Sequence, residues 1–63
     1  MKYTLRQLRV GKNMTQADLA KSLNVNRKTI IAWENGKYFP AVDMIDAICE
    51  FFEVSYDDIR WRP

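Results

Sequence analysis

The sequence predicts an all-α fold of five short helices in one compact domain, and three observations favour this class. The chain has 63 residues, which is enough for a single small domain spanning 1–63. Apolar residues recur at the spacing of helix faces in successive segments. Residues that tolerate a left-handed backbone, such as Asn24 and Gly36, stand where two of those segments end.

Two of the helices, joined by a tight turn, are predicted at about residues 16–35. Thr15 is a good N-cap for the first, and Asp18 completes an approximate capping box three residues later. Asn24 suits the end of this helix, and the side-chain oxygen of Asn26 can cap the N–H groups of the next. The residues expected to face inward are Leu19, Ala20, Leu23, Ile30 and Trp33.

Arg27 and Lys28 occupy the first turn of the second helix of this pair. That end of a helix carries partial positive charge, so each cation there costs about 0.3–1 kcal/mol. A bound polyanion would reverse the sign of this cost, because a helix N-terminus with added cations is an anion site. The pair therefore indicates either a functional surface or, alternatively, two solvated side chains.

Charge is distributed unevenly along the chain, although the net charge is only +2. Residues 1–37 contain eight basic and two acidic residues, a net charge of +6, whereas residues 38–63 contain two basic and six acidic residues, a net charge of −4. This pattern favours a protein with one face for a polyanion, and chance segregation is the alternative.

The remaining helices follow from similar patterns. The first is expected at about Thr4 to Gly11, the fourth at about Ala41 to Phe52, and the fifth after a capping box at Ser55. The expected core stripe of the fourth helix consists of Val42, Ile45, Ile48, Cys49 and Phe52. The capping box also explains Asp57 and Asp58 better than catalysis does.

A second apolar stripe on the fourth helix consists of Met44, Ala47 and Phe51. An apolar stripe left exposed on so small a domain would indicate a surface for a partner. The alternative is that this helix is buried on two sides.

The composition argues against enzymatic chemistry. The chain has no histidine, one cysteine (Cys49) and two glycines, so it lacks nucleophile–histidine pairs, a zinc-ligand set and a glycine-rich phosphate loop. We therefore expect a binding module without a metal, a cofactor or a small-molecule ligand. A lone cysteine, no signal peptide and no membrane-spanning apolar run indicate a cytoplasmic protein.

Residues at fixed spacing across most of the chain carry a family resemblance. They are Thr15-Gln16, Leu19-Ala20, Val25, Thr29-Ile30, Trp33-Glu34-Asn35-Gly36 and Pro40. From about Leu5 to Ile59 the chain resembles the helix-turn-helix proteins of the Cro/repressor type, also called Xre or lambda-repressor-like. The resemblance implies that double-stranded DNA is the partner and that the helix starting at Arg27 enters the major groove.

The resemblance, taken with the outward positions of that helix, also implies roles for individual residues. Base contacts are expected from Asn26, Arg27, Lys28, Ile31 and Ala32, with Arg27 or Lys28 bound to a guanine. Phosphate contacts are expected from Gln16, Thr29, Asn35 and Lys37. For Gln16, an ordinary first-turn residue is the alternative.

A structural ion pair between Arg9 and Glu34 is likewise implied, linking the first helix to the DNA-contacting helix. Family members commonly bind pseudo-palindromic sites as symmetric dimers. The candidate interface residues here are Met44, Phe51, Tyr56 and Trp61. The expected function is a homodimeric operator-binding regulator, in particular a repressor. The alternative is a protein-interaction module of the same fold, an antitoxin or anti-repressor.

Overall fold

The computed structural model describes residues 2–61, in which four α-helices and a 3₁₀ helix are flanked by two short strands. In chain order the elements are β1 (Tyr3–Thr4), α1 (Leu5–Gly11), α2 (Gln16–Leu23), α3 (Arg27–Glu34), α4 (Val42–Phe52), the 3₁₀ helix (Tyr56–Asp58) and β2 (Ile59–Arg60). Met1, Arg62 and Pro63 belong to the predicted domain but lie outside the described residues.

The prediction of a fifth α-helix was wrong. The capping box from Ser55 to Asp58 is present, but the turn that it opens is a three-residue 3₁₀ helix. The chain then becomes extended at Ile59, which pairs in parallel with Tyr3 of β1. Because Ile59 reaches the core from this strand, the tertiary pairing overrides the local signal for a helix start.

The predicted helix ends are confirmed where a left-handed residue was expected. Asn24 and Gly36 have φ angles of 58° and 72°, and Asn13, which follows α1, has a φ of 57°. Glu53, which was not expected in this role, ends α4 with a φ of 56°. A residue with a Cβ atom is strained in this conformation, and glutamate lacks the local hydrogen bonding that helps asparagine.

At the helix starts, the Thr15–Asp18 capping box is confirmed, with Thr15 N donating to the Asp18 carboxylate at 2.9 Å and Asp18 N donating to Thr15 Oγ1 at 3.0 Å. A second box, between Thr4 and Gln7, opens α1. α4 has Ala41 as its N-cap and no side-chain cap.

The core among the described residues draws on each of the four α-helices and on β2. Its buried apolar members are Leu5, Leu19, Ala20, Ile30, Trp33, Ile48, Phe52 and Ile59. Within α2 and α3, Leu19 and Ile30 are completely buried, so these two helices are fixed against each other at the centre of the domain. This packing fixes which face of α3 is turned outward.

The core stripe predicted for α4 was partly wrong. Val42 is 76% exposed and Ile45 is half-buried, whereas Met44 and Phe51 pack against the core beside Ile48. Steps of three residues rotate a row around the helix by about 60° each, so the row from Val42 through Ile45 drifts off the buried face. Met44, Ile48 and Phe51 follow the true helical period, and α4 is buried across a wider face than predicted.

Among the described helices, none combines the length and the apolar character needed to cross a membrane.

Candidate DNA-binding surface

α3 presents opposite faces to the core and to the outside. Ile30 and Trp33 are buried, which anchors one side of the helix. Asn26, Arg27 and Lys28 are exposed at its N-terminal end. The basic end that the sequence predicted to be functional is therefore an accessible surface and does not pack inside the protein.

Asn26 precedes α3 as its N-cap, but the expected side-chain capping hydrogen bond is not formed. Its backbone carbonyl instead accepts hydrogen bonds from the N–H groups of Thr29 and Ile30, at 3.0 and 3.3 Å. Asn26 thus occupies the N-cap position with an extended backbone, but the prediction that its side-chain oxygen caps the helix was wrong.

The other predicted base and phosphate contacts of α3 differ in exposure. Thr29, Ile31 and Ala32 are half-buried, and Asn35 is exposed at the end of the helix. Lys37 is exposed in the following loop, with its Nζ 5.9 Å from the centre of the Tyr38 ring. The half-buried side chains expose only part of their surface to a ligand, whereas the side chains of Asn35 and Lys37 are exposed and can contact one.

Arg9 and Glu34 lie in contact between α1 and the end of α3. Arg9 Nε donates to Glu34 Oε2 at 2.6 Å, and a second guanidinium nitrogen donates to Oε1 at 3.2 Å. Arg9 also donates to the backbone carbonyl of Met14 at 2.7 Å. The two side chains are only 11% and 4% exposed, so the pair is desolvated and well satisfied.

Gln16, a predicted phosphate contact, is joined to this pair. Its Nε2 donates to Glu34 Oε1 at 3.2 Å, and the side chain is half-buried. Because a carboxylate can only accept hydrogen bonds, this contact fixes which end of the amide faces Glu34. The hydrogen bond to the buried Glu34 therefore fixes the position of the Gln16 side chain.

A groove of about 480 Å³ opens beside Gln16. Its lining comes from the first helix, the start of the second and the end of the third, namely Arg6, Arg9, Met14, Thr15, Gln16, Glu34 and Asn35. The structure thus brings together Gln16 and Asn35, both predicted to contact phosphate. It adds Arg6, which sequence reasoning missed, although its place one helical turn before Arg9 could have indicated the same side of α1.

The four candidate interface residues differ in their exposure to solvent. Met44, Phe51 and Trp61 are half-buried and pack against the core of their own chain. Tyr56 is 56% exposed, and the centre of its ring lies 6.0 Å from that of Trp61. The assignment of these residues to a dimer interface stays a prediction, with Tyr56 its most accessible member.

The pKa values of three ionisable groups are shifted, and each shift has a structural cause. Backbone hydrogen bonds from Thr15 and Ser55 lower the pKa of Asp18 and of Asp58, respectively, as expected for capping carboxylates. Burial raises the pKa of the Cys49 thiol, with the Asp46 and Asp58 carboxylates adding to the effect. A thiol in this state is a poor nucleophile.

Comparison with known proteins identifies the family to which the chain is similar. A family model described as a helix-turn-helix domain matches residues 3–59. MJ0272 of Methanocaldococcus jannaschii, named as an uncharacterized HTH-type transcriptional regulator, is 49% identical over 59 residues, which are 94% of this chain and 89% of that protein.

Two further relatives are longer proteins. BcrR of Enterococcus faecalis, named as an HTH-type transcriptional activator, is 46% identical over 55 residues, or 87% of this chain and 27% of BcrR. Antitoxin PezA of Streptococcus pneumoniae is 34% identical over 55 residues, or 87% of this chain and 35% of PezA. The chain therefore spans about a third or less of these two relatives. Because the family model covers most of the chain, the chain belongs to the Cro/repressor (Xre) type of the helix-turn-helix family.

Proposed function

We propose that this chain binds specific operator sites in double-stranded DNA through α3 and thereby regulates transcription. The observation that carries the proposal is the two-sided character of α3. Its inner face is anchored by the buried Ile30 and Trp33, and its N-terminal end exposes Arg27 and Lys28. A rigid helix with a cationic, outward N-terminus is the element that major-groove recognition uses.

Base recognition is assigned to the N-terminal part of α3. Arg27 or Lys28 donates to O6 and N7 of a guanine, and Asn26 lies at the edge of the same surface. Ile31 and Ala32, half-buried, offer apolar contact to a thymine methyl group. Phosphates on either side are bound by Gln16, Thr29, Asn35 and Lys37, which fix the register of the helix.

A binding series with paired substitutions tests this assignment. Duplexes selected from random DNA provide the operator, and scrambled duplexes provide the reference. Arg27→Ala should weaken operator binding by about 1–3 kcal/mol and relax one base position. Lys37→Ala should weaken binding to all sequences alike and flatten the salt dependence. Equal, sequence-independent losses for both variants would contradict base recognition by Arg27.

The proposed assembly is a homodimer on a pseudo-palindromic site, because one small domain makes few base contacts. Tyr56, together with Met44, Phe51 and Trp61, is assigned to the interface. We further propose repression, in which the bound dimer occludes promoter DNA from polymerase. A promoter fused to a reporter distinguishes this from activation, the role in the name of BcrR. Loss of the chain should raise expression, and a fall would show an activator.

A second candidate function is a protein-interaction role, favoured by the similarity to the antitoxin PezA. A mobility shift with random DNA at increasing salt separates the two functions. A DNA-binding chain gives a shift that weakens steeply with salt, because phosphate contacts release counterions. A chain that binds only protein gives none at any salt concentration.

A further inference from the structure

A second groove lies between the end of α2 and the middle of α4, and none of its lining residues is assigned to DNA above. It encloses about 460 Å³ and is lined by Ser22, Leu23, Asn24, Ala47, Glu50 and Phe51. Leu23 and Phe51 pack against the core but are only half-buried, and Ala47 is exposed. Apolar surface is therefore left open to solvent in this groove.

The α2–α4 groove is separate from the aromatic surface around Tyr56. Tyr56 and Trp61 line another cavity, of about 380 Å³, to which Phe39 and Ile59 also contribute. The two cavities share no lining residue, so Phe51 lies in one of them and Tyr56 in the other. A contact between copies through Tyr56 thus leaves the α2–α4 groove without a role.

The surroundings of the α2–α4 groove carry both signs of charge. The wall from α2 belongs to the basic half of the chain, and the wall from α4 belongs to the acidic half. Lys12 Nζ lies 5.7 Å from the centre of the Phe51 ring, and the exposed Glu50 is a lining residue. Within residues 2–61, neither Lys12 nor Glu50 takes part in an ion pair. Three further carboxylates of α4 are exposed at spacings that place them in a row with Glu50, namely Asp43, Asp46 and Glu53.

A groove with one basic and one acidic wall is complementary to itself. In a twofold contact with the axis along the groove, the α2 wall of one copy faces the α4 wall of the other, and the reverse contact is identical. Opposite charges then meet twice, and the apolar surface of Leu23 and Phe51 is covered in both copies. A foreign partner with one sign of charge would meet a like-charged wall on one side. The charges therefore favour a second copy of this chain as the occupant.

We propose that the α2–α4 groove is a second self-association face, at which two copies pair about a twofold axis with Lys12 of each beside Glu50 of the other. A contact of this size is weak in free solution. Two dimers on neighbouring operators hold their grooves at a high effective concentration, so the same contact links them there. The face itself is independent of DNA binding, whereas this link between dimers rests on the proposed function.

Charge reversal tests the face in solution, with Tyr56→Ser in every chain to remove the first proposed interface. Sedimentation measures self-association, and concentration-dependent amide NMR shifts locate it on the protein. Lys12→Glu or Glu50→Lys alone should weaken association by about tenfold or more, because each substitution brings like charges together. An equimolar mixture of the two variants should restore association, since both contacts in the mixed pair then join opposite charges.

The matched control for charge reversal is a pair of substitutions outside the groove, Lys37→Glu and Asp57→Lys. Each should leave association nearly unchanged, and mixing the two should have no effect. Ala47→Asp places a charge on the apolar lining and should abolish association, whereas Ala17→Asp, at an exposed alanine of α2, should not. Chemical denaturation of every variant confirms that folded chains are compared.

A duplex with two selected operators tests the link between dimers, with the spacing varied in single base pairs over one helical turn. At one phase, wild type should bind the second operator about fivefold to thirtyfold more tightly than a single operator. Lys12→Glu should lose this gain. The double variant Lys12→Glu/Glu50→Lys, which has the wild-type net charge, should recover it.

The outcomes separate the face from the function. Failure of the mixture to restore association, or NMR shifts that map outside the groove, would overturn the proposed face. Independent binding to two operators at every spacing would overturn the link between dimers, while binding to a single operator, and with it the proposed function, stands. A chain that binds no single operator would contradict the proposed function, and the solution test alone would then decide the face.

Discussion

At the level of single residues, the Arg9–Glu34 pair has the largest expected effect on stability. Both side chains are almost fully buried, and Arg9 also binds the carbonyl of Met14. A 63-residue domain has a total stability of about 3–9 kcal/mol. Removing one partner of a buried ion pair costs about 3–5 kcal/mol, because the other charge is left unpaired away from water.

We therefore predict that Glu34→Gln lowers the free energy of unfolding by about 3–5 kcal/mol, measured by chemical denaturation. Glu50→Gln, at an exposed glutamate of α4, is the matched control and should change it by less than about 0.5 kcal/mol. A change below about 1 kcal/mol for Glu34→Gln would mean that the pair behaves as an exposed one and does not lock α1 to α3.

Asp18 gives a prediction about pH. The hydrogen bonds from Thr15 lower its pKa in the folded state below the ordinary value of 3.8. The carboxylate therefore stabilises the fold at pH values above 3.8, and this stabilisation is lost as the pH falls through the lowered pKa. Asp18→Asn should show a smaller loss of stability than wild type between about pH 5 and pH 2, measured by denaturation at each pH.

The control for this pH series is Asp46→Asn, at an exposed carboxylate on α4. It should follow the wild-type curve in the acid range. If the free energy of unfolding of wild type and of Asp18→Asn fell equally as the pH was lowered, the capping box would make no contribution to the pH dependence of folding.

At the level of elements, the ends of the helices account for much of what the local sequence specifies. Asn13, Asn24 and Gly36 end the first three helices in left-handed backbone, where their residue types are favoured. α4 ends on Glu53 in the same conformation, at a cost of about 1–2 kcal/mol relative to right-handed backbone. This position is therefore a local conflict between sequence and structure.

Glu53→Gly should relieve that conflict and stabilise the protein by about 0.5–1 kcal/mol, since glycine adopts this backbone freely but loses more entropy on folding. Thermal and chemical denaturation measure the change. Glu50→Gly, inside α4, is the matched control and should destabilise by about 1 kcal/mol. Destabilisation by Glu53→Gly would show that its side chain makes a contribution larger than the strain.

At the level of the whole molecule, the uneven charge along the chain agrees with the proposed surface. The basic first 37 residues contain α1, α2 and α3, which include the exposed basic end of α3. The acidic remainder contains α4 and the 3₁₀ helix. This separation would steer DNA toward one side of the protein.

Self-association is tested on the whole molecule as well. For a homodimer, the melting temperature rises with protein concentration, and sedimentation reports the dimer mass. Tyr56→Ser should weaken the dimer, because it removes an exposed aromatic ring from the proposed interface. Tyr38→Ser, at an exposed tyrosine outside the four candidates, is the control. A monomer at high concentration, with and without DNA, would contradict the dimer.

The sequence by itself determined the helix pair and its boundaries. Thr15, Asp18 and Asn24 act through neighbours one to four residues away, so their effects can be derived without knowing the fold. The same holds for Ile30 and Trp33, whose spacing places them on one face of α3. Family resemblance then indicated which exposed face of that helix to consider for DNA.

Tertiary structure alone decided the features that depend on residues distant in the chain. The pairing of Ile59 with Tyr3 replaced a predicted helix by a strand, and the packing of α4 brought Met44 and Phe51 onto the core. The groove that contains Arg6 and Gln16 exists only after α1 is docked against α2 and α3. Local periodicity contains no information about such contacts, because they depend on how whole elements are oriented in space.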